Sequence, residues 1–456
     1  MSRSVSLKYL DENQDRFQNE LIELLRIPSI SHDPAYKAEM DKASSWLSDK
    51  LRSMGVNNVE ILPTAGHSVV YGEWLAARGG ASAPTMLVYG HYDVQSPEPL
   101  ADWKSQPFEP EIRNENLYAR GSSDMKGQTL ASVNAVEAII KTENLPLNIK
   151  FLIEGEEEIG SKHLNEFLVA HREKLASDFS LNTDAGGMPD AETPSVCYSL
   201  RGGAGFLLHV FGPSQDIHSG EYGGVIQNPI HVLSRLIADL HDEHGHVTLP
   251  GFYDKVRKID EAEHAELARL PFDEAFLLKH SGAPALWGEP EFLPIERIGA
   301  RPTMEVLHFV AGQPKSAIPA KATARISFRL VPDQDPNDVH QQFRNYLKEH
   351  LPPTVTWELH FLGGNPAVIT DRNSPEVHAM QDALQTAFGK PPIFQRVGGG
   401  IGAVLMFRNT LGIDSVLTGF SLYDDNFHGP NEKLHLPTWK KGMAALVHFF
   451  HNLVEK

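Results

Sequence analysis

Four short apolar runs in this chain each lead into a residue that can bind a cation or move a proton. The first is TMLVYGHYD, where Met86, Leu87, Val88 and Tyr89 precede Gly90 and then His91 and Asp93. A run that is apolar at every position, not at alternate ones, suits a strand buried on both faces of a parallel sheet. On an extended backbone, side chains two residues apart point the same way, so His91 and Asp93 share a side. The second run holds Ile149, Phe151, Leu152 and Ile153, and Glu154, Glu156, Glu157 and Glu158 crowd its end with no lysine between them. Phe179–Thr183 delivers Asp184, and Ser415–Thr418 precedes a polar loop ending FHGPNE, which contains His428 and Glu432.

Catalytic groups of open α/β sheets gather beyond the carboxyl ends of the strands. Asp124 adds a further carboxylate, in ARGSSDMKG, between a turn-prone GSS and a helical stretch over Met125–Lys141. Taken alone it reads as a helix cap favoured by the dipole. The pair His91 and Asp93 is likewise a weak sign by itself, and a run of glutamates ordinarily marks a solvated face. Carboxylates this crowded repel one another unless a cation sits among them. His91, His428, Asp124, Asp184 and one of Glu157 or Glu158 therefore suit two divalent ions sharing one carboxylate. Residue pattern does not separate Glu157 from Glu158.

Cysteine usage narrows the donor set. A single Cys197 in 456 residues excludes an intramolecular disulfide framework and a multi-cysteine zinc site, whereas 22 histidines are available. The formal charge of -18 argues against nucleic acid or an anionic membrane as partner. A hydrophobic content of 41% is that of an ordinary soluble protein. No run of apolar residues is long enough to span a bilayer, and MSRSVSLKYLDENQDRF lacks the apolar core of a signal peptide, so a cytoplasmic protein is expected.

Leu7, Leu10, Phe17, Leu21, Leu24 and Leu25 space as one face of a helix that Pro28 closes, and a second helix is expected over Ala38–Met54. Strands and helices then alternate to about Cys197, as in an α/β layer. From Leu200 the pattern becomes antiparallel, with strands expected over Gly205–Val210, Met304–Val310, Ala322–Leu330 and Val355–Phe361. RISFRL alternates charged and apolar residues, which suits a sheet with one wet face. Asn228 and Pro229 begin a helix reaching Leu240. A last helix, over 437–455, spaces Trp439, Met443, Leu446, Val447 and Phe450 as core positions.

The segments RIPSIS, GHYDVQ, LYARGSSDMKG, EGEEEIGS, NTDAGG, DIHSGEYGG, SFRLVP and FHGPNE follow one another over nearly the whole chain. In that order they resemble the M20 metallopeptidase family, and within it the branch of carnosine and Cys-Gly dipeptidases. The resemblance implies an α/β catalytic domain with a mostly parallel sheet, over 1–199 and 370–456, interrupted by an inserted α+β lid and dimerisation domain over 200–369. It implies two divalent metal ions per chain, Zn²⁺ first, with Mn²⁺ or Co²⁺ as alternatives. His91 and Asp184 would hold one ion, Glu158 and His428 the other, and Asp124 would bridge them. Asp93 would orient His91, and Glu157 would act as general base on a metal-bridged water that attacks the peptide bond of a dipeptide or short peptide. His218 would stabilise the oxyanion, reaching the site of the other chain in a homodimer formed through the inserted domain. Arg329 would hold the substrate carboxylate, and a cis peptide is implied after Asp124.

One segment departs from the branch, which carries R-E-G-G-[ST]-I-P. Here Arg396, Val397, Gly398, Gly399, Gly400, Ile401 and Gly402 stand in those places, without the acidic residue and the hydroxyl. Arg396, Gly399 and Gly400 remain expected contacts for the substrate terminus. An N-acyl-amino-acid deacylase is the second reading, using the same site chemistry. A non-catalytic metal-binding protein is the third, and Glu157 beside all five ligands speaks against it, since binding alone needs no base.

Overall fold

A computed structural model describes residues 3–75, 83–143 and 145–454. The remaining positions, which include the first two residues of the N-terminal stretch and the expected end of the last helix, lie outside that description. The chain divides into two compact units. The first comprises residues 1–198, 370–395 and 401–456, and the second 199–369 with 396–400.

The strands used below are β1 (Asn57–Leu62), β2 (Val69–Trp74), β3 (Thr85–His91), β4 (Asn148–Glu154), β5 (Phe179–Asn182) and β6 (Ser195–Leu200). They continue with β7 (Gly202–Phe211), β8 (Thr303–Ala311), β9 (Lys321–Leu330), β10 (Thr356–Asn365) and β11 (Asp414–Thr418). Seven of the nine strands of the large sheet run β1-β2-β4-β3-β5-β11-β6, and the short strands Val368–Ile369 and Ile393–Val397 join at β6. The four apolar runs of the sequence are thus its four adjacent inner strands, and all three pairings among them are parallel. Val88 lies between Phe151 and Leu181, and Val416 lies opposite Leu181. Parallel pairing places all four carboxyl ends along one edge of the sheet, which gathers the polar groups that follow them. β1, β2 and β6 join antiparallel, making the sheet mixed with a parallel centre.

Helices account for the apolar content of these strands. Lys126–Thr142 is buried along most of its length and packs on β3. Leu436–Val454 packs against it, buries Trp439, Met443, Leu446, Val447 and Phe450, and donates from Trp439 Nε1 to the Gly127 carbonyl at 2.7 Å. The first expected helix is two, Arg3–Glu12 and Gln14–Leu25. Asn13 breaks it: its side-chain amide bonds the Tyr9 carbonyl, and its N–H divides between the carbonyls of Tyr9 and Leu10. Asparagine competes with helical hydrogen bonds in this way. Behind the helices, Lys50 Nζ lies 2.6 Å from Glu137 and 2.5 Å from Glu20, while Arg16 and Tyr9 also bond Glu137.

The second unit is an antiparallel sheet in the order β8-β9-β7-β10. Burial alternates along β7 and β9. Phe206, Leu208, Val210, Ala324, Ile326 and Phe328 make the covered face, against the helices Pro229–Asp239 and Pro336–His350. Asn228 begins the first of these by accepting from the Ile230 N–H. β8 is an edge strand and exposes Leu307, Phe309 and Val310.

Candidate metal centre

His91 closes β3 and is fully buried. Its Nε2 faces Asp124 Oδ1 at 3.3 Å and Asp184 Oδ2 at 3.8 Å. Among the described residues no hydrogen bond of good geometry satisfies that nitrogen. Its Nδ1 lies 3.1 Å from the Asp93 carbonyl and 3.4 Å from Asp93 Oδ1. The two Asp93 oxygens in turn accept the backbone N–H groups of Glu157, at 3.3 Å, and Glu158, at 3.1 Å. One buried carboxylate therefore orients the end of β3 and the turn after β4 together.

The four glutamates of that turn separate by their partners. Glu154 accepts from the Tyr89 hydroxyl at 2.8 Å and from Ser161 at 2.9 Å, and Glu156 is bonded to His163. Glu158 Oε2 lies 3.2 Å from His428 Nε2 and accepts from Gln95 Nε2 at 2.9 Å. The same His428 nitrogen is 2.9 Å from Asp124 Oδ2. Asp124 thus meets a different histidine with each oxygen. Its side chain does not cap the following helix, whose N-cap position is Met125, and the Asp124–Met125 peptide is cis.

Glu432, from FHGPNE, fixes the backbone around Asp124. Its Oε1 accepts from Ser123 N at 2.9 Å and Asp124 N at 3.0 Å; its Oε2 accepts from Gly121 N at 2.8 Å and pairs with Arg120 at 2.7 Å. Glu432 was named with its loop but given no role, and Arg120 and Gln95 were not singled out, although each lies inside a segment that was. A charged residue beside a run of turn residues is the signal that points to Arg120; Gln95 carries no such signal.

The charges of the cluster act on one another. Burial, with Asp184, Asp124 and Glu158 nearby, pushes the Glu157 carboxyl well above the usual range, although His91 opposes it. Burial and Asp124 raise Asp184 likewise, and Glu158 is raised for the same two reasons. Asp124 goes the other way: burial opposes ionisation, but the imidazoles of His428 and His91 hold its carboxyl below the usual range. Hydrogen bonding to Asp124 and Glu158 raises His428 to about 10. These carboxylates demand positive charge, and protons on histidine answer only part of that demand. His91, Asp124 and Asp184 present ligand atoms within 4.8 Å of one another, as do Asp124, Glu158 and His428. Imidazole and carboxylate donors in this mixture fit borderline-hard divalent ions.

The other expected residues belong to the second unit. His218 is exposed, and its Nδ1 accepts from the Gly220 N–H at 3.1 Å. Arg329 stands on the open face of β9. Arg396 is buried, with Nη2 at 2.5 Å from Glu263 Oε1. A Cβ at Gly400 would lie 2.5 Å from the Arg201 carbonyl, whereas one at Gly399 would meet nothing within 4 Å. The absent hydroxyl at 400 thus has a steric cause.

Paired histidine–carboxylate groups at the parallel ends of a mixed α/β sheet define a metallohydrolase-type centre. Residues 87–452 match the family model for peptidase family M20/M25/M40, and the chain belongs to that family. It is 28% identical over 468 residues to the Cys-Gly metallodipeptidase DUG1 of Candida albicans, covering 97% of this chain and 95% of that one. It is 28% identical to the Beta-Ala-His dipeptidase of Homo sapiens, covering 98% and 92%. Among solved structures it is similar to the M20 family metallo-carboxypeptidase Sso-CP2 of Sulfolobus solfataricus, at 31% identity, a TM-score of 0.85 and coverage of 96% and 99%. Human carnosine dipeptidase 1 superposes with a TM-score of 0.84 at 26% identity, over 100% of this chain and 99% of that one. The expected fold and family are thus borne out.

Proposed function

We propose that this chain is a two-metal dipeptidase. The observation that carries the reading is Asp124, whose two oxygens face His91 and His428 separately and so belong to both ligand groups. His91 and Asp184 would hold one ion, Glu158 and His428 the other, and Asp124 would be shared between them. Zn²⁺ is the expected metal, with Mn²⁺ or Co²⁺ as alternatives. Bound divalent ions supply Lewis acidity, which makes water acidic enough to ionise near neutral pH and polarises a carbonyl.

Glu157 takes the proton of the attacking water and returns it to the leaving amine. Asp93 orients His91 and the turn carrying Glu157. His218 donates to the oxyanion, and Arg329 meets the substrate carboxylate as a bidentate fork. Gly399 and Gly400 contribute bare backbone amides, and Arg396, paired with Glu263, contributes as a charged group at the substrate terminus.

The second unit serves as lid and dimerisation domain. Leu307, Phe309 and Val310, exposed on the edge strand β8, support pairing with a second copy, because an unpaired apolar edge is a template for another strand. A cytoplasmic location is part of the same proposal. Among the described residues no helix is long and apolar enough to cross a membrane.

Val397, where the dipeptidase branch has an acidic residue, favours N-acyl-amino-acid hydrolysis as the second reading. One experiment tests both: metal content by plasma emission, with hydrolysis of a panel of free dipeptides and N-acetyl amino acids. Two ions per chain and cleavage of free dipeptides are expected. Cleavage of the acylated set alone would replace the first reading with the second.

A further inference from the structure

The chain as a whole is strongly acidic, at -18, yet one cavity of about 320 Å³ in the second unit is rich in arginine. Arg201, Arg297, Arg329 and Glu305 line it together. Among the described residues no carboxylate lies at ion-pair distance from any of these three arginines. Arg201 bonds only neutral acceptors: Nε reaches the Gly398 carbonyl at 3.0 Å, and Nη1 reaches the Arg301 carbonyl and Thr303 Oγ1, both at 3.4 Å. Arg297 likewise donates to the carbonyls of Phe292 and Trp287. Another lining arginine, Arg301, is neutralised by Glu289 at 2.5 Å. The contrast leaves three unmatched cations against the single carboxylate of Glu305.

Strand register brings two of the three together. Arg329 on β9 lies directly opposite Thr303 on β8, and Thr303 is the residue Arg201 reaches. Burial and the neighbouring Arg329 push the Arg201 guanidinium down to about 10, while burial raises the Glu305 carboxyl. The Arg201 shift describes a wall that gains from an added anion. The cavity is far larger than one carboxylate, since a water occupies about 30 Å³ in the liquid. Trp287 and Met304 add apolar surface for an aliphatic stem.

We propose that this cavity receives the residue that ends the substrate and favours one whose side chain is itself a carboxylate, aspartate or glutamate. Arg329 meets the main-chain carboxylate, in keeping with its role above, on which this inference rests. Arg201 and Arg297 meet the side-chain carboxylate, and Glu305 tempers the excess charge. Arg201 is thereby a specificity residue.

Two measurements test this on the full chain. Calorimetric titration with glutarate, its monoamide glutaramate and inorganic phosphate reads binding directly. Glutarate is expected to bind at least tenfold more tightly than either of the others. Arg201→Met should weaken glutarate about tenfold or more, the loss of one charge-assisted hydrogen bond. Glu305→Gln should tighten it. In the metal-loaded enzyme, the ratio of kcat/KM for Ala-Glu over Ala-Gln should fall with Arg201→Met, hold better with Arg201→Lys and rise with Glu305→Gln. A merely structural Arg201 would not produce opposite movements at the two positions. If Arg201→Met fails to fold, the isosteric Glu305→Gln still decides the sign. Equal binding of glutarate and glutaramate, phosphate binding as tight as glutarate, or a ratio indifferent to Glu305 overturns the assignment. Cleavage of dipeptides with such an indifferent ratio sinks the cavity alone. Arg201-dependent glutarate binding without cleavage of any dipeptide keeps the cavity and sinks the enzyme reading.

Discussion

Asp93 Oδ1 lies 3.4 Å from His91 Nδ1, and both residues are completely buried. The same carboxylate accepts the backbone N–H groups of Glu157 and Glu158. Replacing it disturbs a ligand and the expected base at once. Asp93→Asn keeps the shape but removes the charge that holds the imidazole. We expect metal affinity to fall about 10–100-fold, the usual loss for a partner behind a metal-bound histidine. Competition with a chromophoric chelator measures it. A variant that binds metal like the parent would show that the backbone carbonyl alone orients His91.

Glu157→Gln isolates the proton-transfer role. The amide fills the same volume, so the stoichiometry stays near two ions per chain. Turnover falls by about 10²–10⁴-fold, more in kcat than in KM. Emission analysis and steady-state kinetics on the same preparation check both halves. Should Glu158→Gln abolish turnover with both ions retained while Glu157→Gln stays active, the two roles are exchanged.

His91 and Asp184 were legible because each follows a strand whose apolar run marks it as buried. Asp124 was half legible: its local context reads as a helix cap, and only His91 and His428, 33 and 304 positions away, turn its side chain elsewhere. Glu157 and Glu158 are separated by the contacts of Glu158 with Gln95 and His428, neither of which is local in sequence. The resemblance assigned them; periodicity could not. Antiparallel β7, β8, β9 and β10 were readable from alternation, since one face of their sheet is wet. The breaking role of Asn13 was not readable, because asparagine is tolerated in a helix until its amide finds a carbonyl.

Away from the metal centre, Glu137 matches the buried Lys50 and also bonds Arg16 and Tyr9. Burial opposes its ionisation, but Lys50 and Arg16 hold its carboxyl below the usual range. A carboxyl depressed in the folded state contributes stability that is present above its unfolded pKa, near 4.3, and is lost as pH falls through the folded value. Glu137→Gln should therefore cost about 3 kcal/mol at pH 7, since Lys50 keeps Glu20 but loses its second carboxylate. The difference from the parent should shrink towards acid pH. Urea midpoints at pH 7 and pH 3 measure it, and a gap that widens in acid would contradict this sign.

The last expectation concerns His218, which is exposed in the second unit, pairs in a short strand with Ala317, and accepts at its ring nitrogen from the Gly220 N–H. An oxyanion donor needs to sit beside the scissile carbonyl, and the proposed homodimer would present His218 to the active site of the other chain. Leu307→Glu on the edge strand should then yield monomers by light scattering, with activity lost although metal content is kept. Subunit exchange gives the sharper test. Homodimers of Glu157→Ala and of His218→Ala should each be nearly inactive. In a mixed dimer, the chain carrying His218→Ala keeps its own Glu157 and receives an intact His218 from the other chain. One working site per mixed dimer should return, up to half the parental rate when every dimer is mixed. Exchange proved by mass tagging without any recovery of activity would place His218 in the site of its own chain.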